Sequence, residues 1–419
     1  MLTLKSKYMP FVMWLFPLSF FTYQFILRLW PGLMMQQIMG QFSIDASHFG
    51  LLAAFYYYGY SSMQIPVAIL LDRFSPRYVV CAFAVLCGLA TLMFIYTNNF
   101  YIAVLSRFLI GAGSAVGFLG VSKVISEWFS TTHYARMLGY SFTVGLMGAI
   151  YGGKPVSILI ETHSWQTVAI TLAGISIAIG FATFFILRSP TATQSSIQEN
   201  QFKLANFKAL LSSPIIWCLA CANLLMVGSL EGFADVWGIP YLMQAYNLNK
   251  SDAAGLVSLV FFGMLFGGPL LALCSKKFGN YPVITVCGLG MALAFSILLS
   301  NHAYNWLLLS CLLFAIGVMC CYQVIVFAAG ADLVAPQNLG VTVAFLNCIN
   351  VLGGSFFHTT IGKIMDLFWT GTLRGDGLKI YDLGTYKYAL SIIPLCAVVG
   401  AAMICLLGVA VKRKHVSQM

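Results

Sequence analysis

The chain is 419 residues long, 60% apolar and only 8% charged, with a formal net charge of +10. Soluble domains carry roughly 25% charged residues, so the composition excludes an ordinary globular protein and makes lipid the solvent. The basic excess does not imply a nucleic-acid partner. Most of the 22 Lys and Arg residues sit at one set of apolar-segment ends, Lys5, Lys7, Arg73, Arg77, Lys123, Lys276, Lys277 and Lys412 among them, which is the bias that marks cytoplasmic ends and puts both termini there.

Twelve apolar segments follow in chain order, at residues 8–36, 48–71, 78–97, 100–122, 136–160, 165–187, 214–243, 252–274, 282–299, 305–329, 341–364 and 386–411. Each has the length of a membrane-spanning helix, and a barrel would instead show segments of about ten residues in strict alternation. The first carries Pro17, Gln24 and Arg28 and no small-residue cleavage site, so it is expected to be a retained span rather than a signal peptide. Residues 188–213 are polar and then amphipathic, with Phe202, Leu204 and Phe207 among lysines, which predicts a cytoplasmic linker with a surface helix. The expected organisation is an N-terminal six-helix half at 1–187, the linker at 188–213 and a C-terminal six-helix half at 214–419. Residues 365–385 form a longer external loop. All twelve cysteines lie in or beside apolar segments, so no structural disulfide is expected, and Cys218-x-x-Cys221 reads as a pair of small packing residues. No metal or cofactor is expected either.

The halves are related. Gly263 to Gly279, ending Lys276-Lys277-Phe278-Gly279, repeats Gly59 to Ser75, ending Asp72-Arg73-Phe74-Ser75, from 204 residues on. A repeat with a period near half the chain implies two homologous halves.

Ala68 to Arg77, with Asp72, Arg73 and Arg77, is similar to the loop motif Gly-x-x-x-Asp-Arg-x-Gly-Arg-Arg, although Ala68, Ser75 and Pro76 depart from it. Arg107-Phe-Leu-Ile-Gly111-Ala-Gly113 is similar to the fourth-span motif Arg-x-x-x-Gly-x-Gly. On these motifs and the six-plus-six pattern, the chain resembles bacterial transporters of the major facilitator superfamily. The resemblance implies an all-α integral membrane fold of twelve helices in two pseudo-symmetric halves, with the substrate near the midplane between them. It also implies a conformational role for Asp72, Arg73, Arg77, Arg107, Gly111 and Gly113. The Gly-Pro doublet typical of antiporters is missing beside Gly145, Gly148, Gly152 and Gly153. Gly111-x-Gly113-x-x-x-Gly117, and likewise Gly267-Gly268 and Gly353-Gly354, read physically as close helix packing rather than a nucleotide loop.

A charge at bilayer depth costs at least about 2.5–3.5 kcal/mol, so the few present are candidates for function. Arg28 lies past the middle of the first span, with Tyr23 and Gln24 about one turn earlier on the polar stripe. Glu231 and Asp235, four apart, share a face of the seventh span. Adding the repeat offset to Arg28 gives position 232, which matches it in depth to Glu231. Arg107 has no counterpart, since the same offset leads to Cys311. Lys154 lies beside Gly152, Gly153 and Pro155 in the fifth span. The run Phe55-Tyr56-Tyr57-Tyr58-Gly59-Tyr60 supplies hydroxyls, and a Tyr57 contact with substrate is expected, although the facing residues depend on helix rotation.

These features predict a monomeric secondary active transporter in the cytoplasmic membrane, working by alternating access. The expected substrate is a small polar solute with a carboxylate, an amino acid or small peptide, bound by Arg28, Tyr23, Gln24, Tyr57, Lys154 and Glu231. The chain has no Walker-type motif, so symport with protons through Glu231 and Asp235 is expected. An organic-acid or carboxylate-siderophore carrier, a drug or metabolite efflux carrier, and a sensor on the same fold are the alternatives. An intramembrane enzyme would need paired catalytic groups at depth, and only His358 is near.

Overall fold

The computed structural model describes residues 8–188, 190, 212–300, 305–335 and 338–416. The predicted amphipathic helix of the linker falls outside these residues. Among the described residues the regular structure is helical, apart from one isolated antiparallel bridge, Leu373–Lys379. Among the described residues, eleven helical segments are long and apolar enough to cross a membrane. In order they are Met9–Leu33, Pro76–Tyr96, Phe100–Trp128, Thr132–Thr162, Trp165–Ile186, Pro214–Tyr246, Lys250–Phe278, Asn280–Ser300, Trp306–Ala331, Leu339–Leu367 and Leu383–Arg413. With Ala46–Arg73, 28 residues long, they make the twelve spans of the expected fold. That second span is less apolar because it carries Tyr56, Tyr57, Tyr58, Tyr60, Ser61, Ser62 and Gln64.

The ends of the spans are built in two ways. Spans four, six, eight, ten and twelve open on a polar cap. The side chains of Asn99, Ser164, Asn249, Asn305 and Asp382 accept hydrogen bonds from backbone N–H groups of the first turn. Spans one, three and seven instead carry Pro in their first turn, where a missing N–H costs nothing. The sequence-level boundaries missed a short helix, Met35–Phe42, that follows the first span. They also missed breaks in several spans, the twelfth among them, which pauses at Ser391 between Leu383–Leu390 and Ile392–Val416. The fourth pauses at Ala115, between Phe100–Ser114 and Val116–Trp128. The tenth pauses at Cys321, between Trp306–Cys320 and Tyr322–Ala331.

By contact the chain forms two compact units, Met1–Ser43 with Leu52–Ser196, and Ile44–Leu51 with Ile197–Met419. The repeat is visible inside each at atomic level. In the first unit a Cβ on Gly59 would lie 2.0 Å from the Phe108 carbonyl oxygen, and one on Gly111 would lie 1.9 Å from that of Tyr56. In the second unit a Cβ on Gly263 would lie 2.2 Å from the Phe314 carbonyl oxygen, and one on Gly317 would lie 2.0 Å from that of Val260. The same reciprocal glycine contact therefore joins spans two and four, and again spans eight and ten. No side chain larger than hydrogen fits there, and the backbones touch directly. Gly113 packs similarly on Cys87 and Phe83, Gly267 on Val318 and Gly353 on Leu224, whereas Gly268 faces open space and takes no part in packing.

The second unit takes in the first turn of the second span. The Ala46 N–H donates to the Tyr381 hydroxyl at 2.9 Å and the Ser47 N–H to Asp366 Oδ2 at 2.7 Å. Lys379 Nζ donates to Asp366 Oδ1 at 2.9 Å and to Asp45 Oδ2 at 3.4 Å, and stands over the Trp369 ring. The first N–H groups of any helix lack partners within it; here the loop after the eleventh span supplies two. The predicted long loop at 365–385 is thus an ordered cap.

Candidate functional site

The first span contains Pro17 and Pro31 inside its helix. Pro31 has no N–H, so the carbonyl of Leu27, four residues earlier, loses its helical partner. Arg107 from the fourth span replaces it, with Nη1 donating to the Leu27 oxygen at 3.0 Å. The Arg107 side chain is 1% exposed, and its guanidinium carbon lies 5.0 Å from the Tyr56 ring centroid and 5.6 Å from that of Trp30. The Tyr56 hydroxyl in turn donates to Gln24 Oε1 at 2.9 Å. A buried arginine is therefore held by one carbonyl and two aromatic faces, and it fixes the first span at its proline, next to Arg28.

Arg28 is half-buried, and its guanidinium carbon stands 5.4 Å from the centroid of Tyr57, which is buried. The structure thus brings together Arg28, Tyr57, Gln24, Tyr56 and Arg107. Tyr23 is buried too, but its hydroxyl donates to the Leu172 carbonyl at 2.6 Å and so is engaged in packing spans one and six. Lys154 is exposed on the fifth span. The repeat contacts also revise the counterpart of Arg107. Gly111 matches Gly317, 206 residues on, so Arg107 corresponds to buried Leu313 and not to Cys311, which is exposed. Tyr56 matches Val260 in the same way. Where the first unit places an arginine against a tyrosine, the second places two aliphatic residues.

Glu231 and Asp235 lie on a π-helical segment, Gly228–Trp237, in the middle of the seventh span, and they are 2% and 1% exposed. All ten residues of this segment are buried. Gly228 and Gly232 lie against Phe357 of the eleventh span, where a Cβ would come within 2.5 Å and 3.1 Å of that ring and its Cβ. π-Helical turns hold one extra residue and are frequent at functional sites. Two carboxyl groups buried there would be among the costliest groups in the membrane if left charged. No hydropathy or periodicity signal marks the widened turn, although the cluster Gly228, Gly232, Gly238 and Pro240 loosens the helix in that region.

At the ends of spans two and four, Asp72 is paired with Lys123 at 3.2 Å, the carboxylate being 76% exposed. Arg77 stacks over Tyr78 at 4.7 Å and Phe184 at 4.9 Å, while Arg73 is exposed. Among the described residues no group of three or more His, Cys, Asp or Glu side chains has the arrangement of a metal site.

The family model described as "Major Facilitator Superfamily" matches residues 12–358. The glycerol-3-phosphate transporter of Bacillus subtilis is 22% identical over 351 residues, covering 77% of this chain and 79% of that protein. The probable sulfoacetate transporter SauU of Cupriavidus necator is 21% identical over 260 residues, covering 58% of this chain and 60% of its own length. The chain spans 34% to 60% of the length of the first curated relatives it matches. Among solved structures, a bacterial homologue of the human lysosomal transporter Spinster, in an inward-facing and unoccupied conformation, superposes with a TM-score of 0.74 at 16% identity, covering 96% of this chain and 97% of that one. This last likeness shows the fold alone.

Proposed function

Since the chain belongs to the major facilitator superfamily, we propose that it is a multi-pass membrane transporter whose substrate is a small organic anion, carried across a bacterial inner membrane by a monomer in symport with protons. The observation that carries this reading is the set of cations in the membrane portion of the first unit. Arg28 is half-buried over Tyr57 at the proline-bearing end of the first span, and Arg107 holds that segment in place. A guanidinium keeps its charge and offers a planar fork of donors, which suits carboxylate, sulfonate and phosphate heads alike. Two relatives are named for anions of this kind, sulfoacetate and glycerol 3-phosphate. Their names give more weight to an organic acid than to the amino acid or peptide expected from sequence. Glu231 is the proposed proton carrier, with Asp235 as its neighbour one turn on. Asp72, Arg73 and Arg77 serve the conformational cycle, with both termini in the cytoplasm.

The two buried carboxyl groups favour one second reading, a zwitterion whose amino group meets Glu231. A thermal-shift panel of the purified protein separates the two, because a ligand that binds only the folded state raises its melting temperature. Sulfoacetate, glycerol 3-phosphate or a small carboxylate should raise it, and R28K should lose most of the shift. A shift produced by amino acids and not by simple anions would replace the first reading with the second. A shift unchanged in R28K would remove Arg28 from the site.

A further inference from the structure

Among the side chains within the spans of the second unit are three carboxamides: Asn223 on the seventh span, Gln323 on the tenth and Asn350 on the eleventh. Asn223 is fully buried, Asn350 is 2% exposed and Gln323 is half-buried. Gly330 marks where their three helices meet. A Cβ there would lie 2.4 Å from Leu346 Cδ1 and 3.6 Å from Leu219 Cδ2. Asn350 follows Leu346 by four residues, Asn223 follows Leu219 by four, and Gln323 precedes Gly330 by seven. Residues four and seven apart share a helix face. The three amides therefore continue the faces that converge on Gly330. Each lies 8 to 11 residues from the nearer end of its span, counted from Pro214, Ala331 and Leu339, which at 1.5 Å per residue is a depth of about 12–17 Å.

The hydrogen bonds support one junction. Asn350 Nδ2 donates to Gln323 Oε1 at 3.1 Å, and the Tyr322 hydroxyl donates to the Asn223 backbone oxygen at 3.1 Å. Four polar atoms there are shielded from solvent without a hydrogen-bond partner: Asn223 Oδ1, Asn223 Nδ2, Gln323 Nε2 and Asn350 Oδ1. Leucine at these positions would pack without that penalty, so packing alone does not account for three amides. The four atoms are two donors and two acceptors, and none is charged. A hydroxyl group, which both donates and accepts, complements such a set, whereas a carboxylate, which only accepts, does not.

We propose that Asn223, Gln323 and Asn350 form a neutral subsite that reads a hydroxyl group of the transported solute, so that hydroxylated organic anions are the preferred class. The choice of anion rests on the function proposed above; the reading of the hydroxyl does not. The junction is closed in this structure. The tenth span is interrupted at Cys321, two residues from Gln323, where the Cys321 N–H bonds to the Val318 oxygen and the Val324 N–H to the Cys321 oxygen. These three-residue bonds mark a helix joint, and the subsite opens there.

The test measures binding to the full-length protein in lipid nanodiscs, using matched probes: glycerate against propionate, glycerol 3-phosphate against propyl phosphate, and the uncharged glyceramide against propionamide. In the wild type a hydroxylated anion should bind at least tenfold more tightly than its partner. N350L should bring that pair within threefold by weakening the hydroxylated member only. Q323M, which keeps the side-chain length, should do the same and decides the question if N350L does not fold. A ratio that survives both substitutions, or an equal loss for both members of a pair, overturns the subsite. If only the uncharged amide pair shows the preference and its loss, the subsite stands and the organic-anion reading falls. A wild type that prefers no hydroxylated probe overturns the subsite, whether or not the anions bind.

Discussion

Removing Arg107 should cost more stability when Pro31 is present than when it is replaced by alanine. The guanidinium donates to the Leu27 carbonyl at 3.0 Å, and that carbonyl lacks a helical partner because Pro31 has no N–H. A hydrogen bond from a charged donor contributes about 1.5–3 kcal/mol. The contacts with Tyr56 and Trp30 add to it, while the burial of a charge subtracts, so the net cost of R107L alone is not a clean measure. P31A restores the N–H and lets Leu27 bond within its own helix. A double-mutant cycle isolates the term. Unfolding in mixed SDS micelles should show that R107L costs about 1.5–3 kcal/mol less in the P31A background than in the wild type, the value of that one bond. Equal costs in the two backgrounds would mean that Arg107 does not serve the freed carbonyl, and the account of the first span would fail.

The glycine contacts make a paired prediction. G59A and G263A should each lower the melting temperature, because the new Cβ would lie 2.0 Å or 2.2 Å from a carbonyl oxygen, whereas G268A, facing open space, should leave it unchanged or raise it slightly; equal behaviour of all three would refute the repeat contact. D72N should slow transport while leaving ligand affinity within a few-fold, measured by uptake and equilibrium binding; loss of binding in a folded protein would contradict its conformational role. The cap on the second span should depend on pH in a set direction. Burial raises the Asp45 carboxyl, but the backbone and ring hydrogen bonds from His48 and the charge of Lys379 more than offset it, leaving it below its ordinary value. Burial lowers Lys379, but Asp366 and Asp45 more than offset that and hold it above its ordinary value. A depressed carboxyl contributes above its unfolded pKa and is lost as pH falls through the folded value, and a raised lysine contributes below its unfolded pKa and is lost as pH rises through the folded one. The contribution of the pair to stability should therefore be flat from about pH 5 to 9 and fall outside about pH 4 to 10. Comparing the melting of K379M and wild type across pH checks this, and a difference that varies between pH 5 and 9 would refute it.

The fold was legible because bilayer thickness imposes a length on every span and the 204-residue repeat imposes two halves. Close helix packing at Gly111, Gly113, Gly267 and Gly353 could be read from small residues in apolar runs, whereas the reciprocal partners Gly59, Gly263 and Gly317 emerge only from the contacts. The register within the repeat could not. A shift from 204 to 206 between neighbouring span pairs changes the partner of Arg107 from Cys311 to Leu313, and only the contacts reveal it. The interruption of the tenth span at Cys321 and the π turn around Glu231 depend on tertiary packing and leave no periodic trace. The bond from Arg107 to Leu27 was within reach, since Pro31 frees the carbonyl four residues before it. Its donor, 80 residues away, was not. Asp366, Lys379 and Tyr381 were missed because their partners, Asp45 to Ser47, lie more than 300 residues earlier.

Gradient-driven uptake into proteoliposomes tests the central claim most directly. Wild-type protein and E231Q are compared with whichever organic anion raises the melting temperature, under an imposed pH gradient and in simple exchange without one. The account predicts that the wild type concentrates the anion with the gradient, while E231Q binds and exchanges it but brings it only to equilibrium. Accumulation by E231Q at the wild-type level would contradict the proton-carrying role of Glu231, and failure of the wild type to move any organic anion would contradict the proposed substrate class.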